Sequence, residues 1–372
     1  MRMNMKAYAP FRADEVGSLL RPPAIKKARE ALAEGKIDLD ALKDIEDDCI
    51  REVVKKQEAV GLKAVTDGEF RRSWWHFDFL AGLEGVEMVM TETSLPFQGA
   101  TTKHENIGVT DRVAFNGHYM LDHFRFLKEI TNVTPKICIP APSVLHFRGG
   151  RDSISKAVYP NWDNFYSDTA DAYANIVRAF YEVGCRYLQF DDTVWAYLCS
   201  EKERQSARER GLDPDSLPEA YKTMINHALA AKPDDMTITT HMCRGNFKSS
   251  WISEGGYEPV AEILFNETNY DGYFLEYDTD RAGGFEPLRF LPLGEKRVVL
   301  GLVTSKTGEL EDKNKIKQRI EEATQYADLD QFCLSPQCGF ASTEEGNILS
   351  EEEQWNKLRM IVEIAKEVWG EV

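Results

Sequence analysis

His241 and Cys243 stand at the end of an apolar run, and their i, i+2 spacing sends both side chains to the same side of an extended chain. Imidazole and thiolate together suit zinc. Alone the pair is a weak signal, because a buried cysteine is most often a small apolar filler. It gains weight from Glu276 and Cys338, two further ligand types that follow other apolar runs. Two acids, Glu69 and Asp191, occupy similar places and could together hold a substrate ammonium. Taken singly, an acid at such a position caps the next helix by accepting its free N–H groups. Asp192 is read as a cap or hydrogen-bond anchor of that kind. Val16-Gly17-Ser18 and Lys306 also follow apolar runs.

These residues need elements that bring them to one place. Seven segments have strand character: 64–66, 137–140, 186–190, 236–240, 272–275, 297–303 and 331–334, with a short eighth inside 11–19. Several are near-continuous apolar runs, as expected for strands covered on both faces. Helical patterns lie between most of them. Segment 162–183 sets Trp162, Phe165, Tyr166, Tyr173, Ile176, Val177 and Phe180 on one stripe, and Gly184 follows as a stop. Segment 22–59 reads as two helices broken near 35–38, and 313–326 and 351–368 are amphipathic.

Eight strands alternating with helices predict an α/β fold, a single (β/α)8 TIM barrel. In that fold the catalytic groups come from the C-terminal ends of the strands, which is where the residues above fall. A doubly wound sheet is the runner-up, but neither glycine-rich phosphate turn, G-x-G-x-x-G or G-x-x-x-x-G-K-[ST], occurs. Residues 1–372 are expected to form one catalytic domain. Residues 71–135 form an insertion between strands 2 and 3, with a small hairpin suggested by 86–90 and 112–115.

Composition narrows the partners. Lys+Arg number 45 and Asp+Glu 62, for a net charge of −17. Such a field repels phosphate backbones and anionic membranes, so neither nucleic acid nor lipid is expected. No apolar run of about 18 residues occurs, and the first ten residues lack an apolar signal region. Seven cysteines at irregular spacing do not make a secreted disulfide framework, so a reduced, cytoplasmic setting is expected. Cys49, Cys138, Cys185, Cys199 and Cys333 read as structural, and His76, His104, His118, His123, His146 and His227 as core or surface histidines. Trp74, Trp75, Phe77 and Phe79 could wall a pocket, though an aromatic run is more often core.

The motifs VGSLLRP (16–22), TDGEF (66–70), LQFDD (188–192), HMCRGN (241–246), FLEYD (274–278) and LSPQCGFAS (334–342) resemble the cobalamin-independent methionine synthase family. More narrowly, the chain is similar to short bacterial members that match the catalytic C-terminal half of the full-length enzyme. The resemblance implies a zinc-dependent thiol alkyltransferase in which His241, Cys243, Glu276 and Cys338 are the zinc ligands. It also implies that Gly17, Ser18, Glu69 and Asp191 hold homocysteine, the backbone near Ser18 meeting the carboxylate and the two acids the ammonium. A free thiol with a pKa of about 8.5 is mostly protonated at neutral pH, and zinc coordination deprotonates it.

The chain departs from the family pattern in three places. Where full-length enzymes carry a histidine after the seventh strand, this chain reads Gly301 to Lys306, and Lys306 is the candidate acid. The run Thr193-Val194-Trp195-Ala196-Tyr197 lacks the family's folate-associated acid. The half that grips the polyglutamate tail is expected to be absent. The methyl donor therefore stays open among methyltetrahydrofolate, a methyl-corrinoid and a sulfonium, as does the oligomeric state, a homo-oligomer included. The leading expectation is S-methyl transfer to homocysteine, giving methionine. The alternatives are alkyl transfer to another thiol, as in epoxyalkane:coenzyme M transferases, a zinc hydrolase, and a non-catalytic zinc store. Coenzyme M has no amino group for Glu69 and Asp191 to meet, and hydrolases favour His/carboxylate sites over cysteines.

Overall fold

The protein was analysed as a computed structural model that describes residues 9–90, 105–246 and 251–372. His104 lies outside the described residues. Nine strands are present among those described. β1 (Ala64–Val65), β4 (Thr134–Pro140), β5 (Tyr187–Asp192), β6 (Thr237–Met242), β7 (Gly272–Glu276), β8 (Arg297–Val303) and β9 (Phe332–Pro336) form one sheet in that order. Every pairing in it is parallel. β2 (Glu84–Met90) and β3 (Glu105–Ala114) form a separate antiparallel hairpin. Strands buried on both faces explain the continuous apolar runs. Helices follow them outside, among them Trp162–Glu182, whose Phe165, Tyr173, Ile176, Val177 and Phe180 are buried as the stripe predicts. The N-terminal pair is Pro23–Ala33 and Leu39–Val60, the second capped by Asp38 and stopped by left-handed Gly61. This is the α/β barrel class that the sequence predicts.

The expected first strand differs from a regular one. Segment 11–19 makes a single parallel bridge, Ala13 to Leu334. Backbone bonds from Asp14 N to Leu334 O (3.0 Å) and from Leu19 N to Gly68 O (3.1 Å) tie it to β9 on one side and to the turn after β1 on the other. Side chains replace the missing ladder. The carbonyl of Val16 accepts from Cys138 Sγ (3.0 Å) and Gln189 Nε2 (2.7 Å), and that of Gly17 accepts from Thr66 Oγ1 (2.6 Å). The seven-stranded sheet is thus linked through 11–19 from its last strand to its first.

A buried charge pins this segment. Lys136 Nζ on β4, fully buried, lies 3.2 Å from Asp14 Oδ1, with the Phe274 ring 4.1 Å away. It also donates to the carbonyl of Glu15. Asp14 Oδ2 accepts from the Tyr187 hydroxyl at 2.8 Å. Removing one partner of such a pair leaves the other charge buried and uncompensated. Lys136→Met is therefore expected to cost about 3–5 kcal/mol of stability in a urea denaturation series, with part regained when Asp14→Asn is added. A loss under about 1 kcal/mol would show that the pair does not hold the segment.

Candidate active site

The C-terminal ends of the parallel strands open into one cavity lined by Ser18, Glu69, Asp191, His241, Cys243 and Cys338 and also by Trp74, Trp75, Arg148 and Tyr197. Among the described histidines only His241 reaches it. Phe77 and Phe79 are buried in the apolar core, whereas Trp74 and Trp75 face the cavity.

Four ligand-type residues converge from three elements. The ligand atoms of His241, Glu276 and Cys338 all lie within 4.8 Å of one another. Cys243 Sγ is 3.5 Å from Cys338 Sγ. Two thiolates about 2.3 Å from a tetrahedral ion stand about 3.8 Å apart, so the spacing suits a shared metal. Glu276 offers an unused oxygen: Oε1 accepts from Arg244 N at 2.8 Å, while Oε2 is buried with no hydrogen-bond partner. An orphaned carboxylate oxygen within 4.8 Å of a thiol and an imidazole suits a cation.

Of the four groups only Cys338 is shifted toward the form a metal ligand takes, Cys243 being raised by its hydrogen bond with Cys338 and by burial. The Cys338 thiol is held well below its ordinary range, chiefly by the hydrogen bond from Cys243, with His241 and Lys306 adding positive charge. Burial pulls His241 down, yet hydrogen bonds to Asp191 and Cys338 outweigh it and raise it to about 10. Burial pushes Glu276 up to about 7, against the pull of Lys306. A thiolate is thus favoured where a metal would need one.

Glu69 and Asp191 meet beside this group. Their carboxylates, with Cys138 Sγ, fall within 4.8 Å of one another. Glu69 adopts φ 59, a left-handed conformation that only Glu69 shows among the described non-glycine residues. Its N–H donates to Asp67 Oδ1 at 2.9 Å, which holds the turn, and Arg72 lies 3.5 Å from Oε1. Oε2 has no partner. Burial raises Glu69 to about 8; Arg72 opposes the shift and Asp191 adds to it. Gly17 completes the floor with φ 150, where an added Cβ would meet Cys138 Sγ at 2.7 Å and Glu69 Oε1 at 3.1 Å. Ser18 is buried, and its carbonyl accepts from Phe340 N at 2.8 Å.

Two candidates sit differently. Lys306 Nζ is 3.2 Å from Gly245 O and 3.4 Å from Asn246 Oδ1, and its side chain lines a neighbouring groove with Trp251, Tyr277 and Leu310. Asp192 is fully buried, accepting from Val194 N at 2.8 Å and from Ser143 Oγ, as an anchor would. The sequence reading missed two features. Asp191 Oδ1 stands 3.6 Å from His241 Nδ1, so it orients the imidazole as well as facing Glu69. Arg148 enters the cavity from beyond β4, after the short helix Pro142–Phe147. A search of residues directly following each strand passes over it.

The fold is a parallel α/β barrel with a candidate metal-ligating group, His241, Glu276 and Cys338 with Cys243 beside them, at the strand ends. The catalytic-domain profile of the cobalamin-independent synthase family matches residues 11–367, and the chain belongs to that family. It is thereby an enzyme, of the methyltransferase class, and a short member of its family. It is 51% identical over 362 residues to the Bacillus subtilis protein YxjH, covering 97% of this chain and 95% of that one. A structure provisionally assigned as a vitamin-B12-independent methionine synthase from Listeria monocytogenes superposes with a TM-score of 0.81 at 45% identity, covering 98% of this chain and all of the other. The 5-methyltetrahydropteroyltriglutamate–homocysteine methyltransferase of Listeria innocua is 22% identical over 371 residues, which are 97% of this chain and 43% of that protein.

The geometry around His241 predicts the behaviour of the metal. Asp191→Asn is expected to weaken metal binding about 10–100-fold in a chelator competition, because the imidazole loses its carboxylate support. An unchanged affinity would show that Asp191 does not serve the centre.

Proposed function

We propose that this chain is a zinc-dependent S-methyltransferase that moves a methyl group to the thiol of homocysteine to form methionine, and that it works as one catalytic barrel domain in the cytoplasm. The observation that carries this reading is one cavity lined by two thiols and an imidazole, with the half-satisfied carboxylate of Glu276 within 4.8 Å of the ligand atoms of His241 and Cys338, beside a second pair of acids. His241, Cys243, Glu276 and Cys338 would hold the zinc, a donor set of nitrogen and sulfur that suits this ion. When bound, zinc lowers the pKa of a coordinated thiol and so supplies a thiolate nucleophile at neutral pH.

The chain's own residues position the acceptor. Glu69 and Asp191 take the ammonium, and the backbone at Gly17 and Ser18 takes the carboxylate. Lys306 is proposed as the acid that protonates the departing donor group, its place beside Asn246 and Gly245 keeping it at the rim. A sulfonate acceptor brings no ammonium for these two acids to meet, which disfavours coenzyme M-type chemistry. All seven cysteines are free, in accord with a reducing compartment. No helix of the described residues is long and apolar enough to cross a membrane.

The reading is tested by methionine formation from homocysteine with each class of donor. Cys338→Ser is expected to lower kcat/KM on the order of 10³-fold, several kcal/mol of barrier. No methionine from any donor with zinc-loaded protein would end the proposal. Lys306→Ala is expected to lower kcat and leave the KM for homocysteine unchanged.

A pH dependence follows from Glu69. Its pKa of about 8 means that it carries a proton at neutral pH, and an arriving ammonium favours the ionised form. Binding thus releases a proton, and affinity rises with pH until it levels above about 8. Calorimetry with L-methionine in buffers of different ionisation enthalpy is expected to show this release, and Glu69→Gln to abolish it. Proton uptake on binding would contradict the assignment.

A further inference from the structure

The amino-acid grip described above has two ends, and one buried side chain joins them. Gln189 lies on β5 two residues before Asp191, so both side chains stand on the same face of the strand. It is fully buried, and its Nε2 donates to two acceptors, the carbonyl of Val16 at 2.7 Å and Asp191 Oδ1 at 2.7 Å. The first bond fixes the chain directly before Gly17 and Ser18, whose backbone is the proposed carboxylate site. The second fixes an acid proposed to take the ammonium. Oε1 has no hydrogen-bond partner. The nitrogen end is therefore the one the site requires, because the amide turned over would set its oxygen against two oxygens.

Other groups hold each end separately. Cys138 Sγ donates to Val16 O at 3.0 Å, and Thr66 Oγ1 to Gly17 O at 2.6 Å. Asp191 Oδ1 stands 3.6 Å from His241 Nδ1. None of these three contacts runs from one end of the grip to the other, as the two bonds of Gln189 do. Its chemistry suits the task. Glu69 is met by a cation, Arg72, 3.5 Å from Oε1. A lysine in place of Gln189 would do the same to Asp191 and compete with an incoming ammonium. A glutamate would bring at most one proton to two acceptors. The neutral amide holds both ends and leaves the charge of Asp191 for the ligand.

We propose that Gln189 is a positioning residue that fixes the distance between the two ends and so makes the site selective for an α-amino acid, in which ammonium and carboxylate share one carbon. This rests on the homocysteine reading above and adds the group that gives it selectivity. A β-amino acid has one more carbon between the same two groups, so a grip of fixed span leaves one of its own polar groups unpaired.

Calorimetry on the zinc-loaded full chain tests it with L-methionine and L-β-homomethionine. The wild-type protein is expected to bind L-methionine about 10–100-fold more tightly, the effect of one buried polar group left without its partner. Gln189→Met is expected to bring the two affinities within about threefold of each other, and Gln189→Glu to fall between. A loss of packing alone would weaken both ligands alike and leave their ratio unchanged. The proposal is overturned if the wild type binds both alike, or if whichever of the two variants folds keeps the wild-type ratio. Wild-type protein that binds neither ligand would overturn the homocysteine reading and this proposal with it, whereas an unchanged ratio counts against Gln189 alone.

Discussion

The site depends on the parallel register of the strands. β5 and β6 pair so that Asp191 lies opposite His241, and β7 and β8 so that Glu276 lies opposite Gly301. With a side-chain period of two, a slip of one residue would turn His241 away from the cavity and break its contact with Asp191. Gly301 has its own part in this. A Cβ there would sit 2.7 Å from both Leu275 O and Gln337 Cα. The absence of a side chain lets the turn after β9 press against β8, and that turn delivers Cys338. Asn246 fastens it from the other side, donating to Gly339 O at 2.7 Å.

The same arrangement leaves polar groups waiting. Glu276 Oε2 and Glu69 Oε2 are buried without partners, each at a cost of about 1–3 kcal/mol. A folded chain tolerates such groups where a ligand later satisfies them, and both oxygens sit where a cation is expected, one a metal and one an ammonium. Burial explains why the two carboxyls rise to about 7 and about 8. A proton on each carboxyl lowers the cost of keeping such a site preformed.

Much of this was legible in the sequence, for reasons that differ by element. Strands buried on both faces leave uninterrupted apolar runs, so the seven strands of the sheet were found within a few residues, and rim residues such as Glu276 and Cys338 followed from their ends. The first strand was legible only in part, because Lys136, Cys138, Gln189 and Thr66 replace its ladder with side-chain bonds, and such long-range partners leave no periodic trace. The end of β6 was read short, so that His241 lies within the strand and not beyond it. Arg148 was illegible because a short helix separates it from β4. Cys138 read as filler, and its closeness to Glu69 and Asp191 needs the three-dimensional fold.

Opposite charges lining one cavity, Arg148 and the acids Glu69 and Asp191, also bear on how two substrates would be told apart. Under the proposed function, an amino acid bound in the wrong orientation would set its ammonium against Arg148, while a carboxylate pushed toward Glu69 and Asp191 would meet like charge once Glu69 is ionised. Each error costs electrostatic energy in a partly dry site, where it is larger than in water.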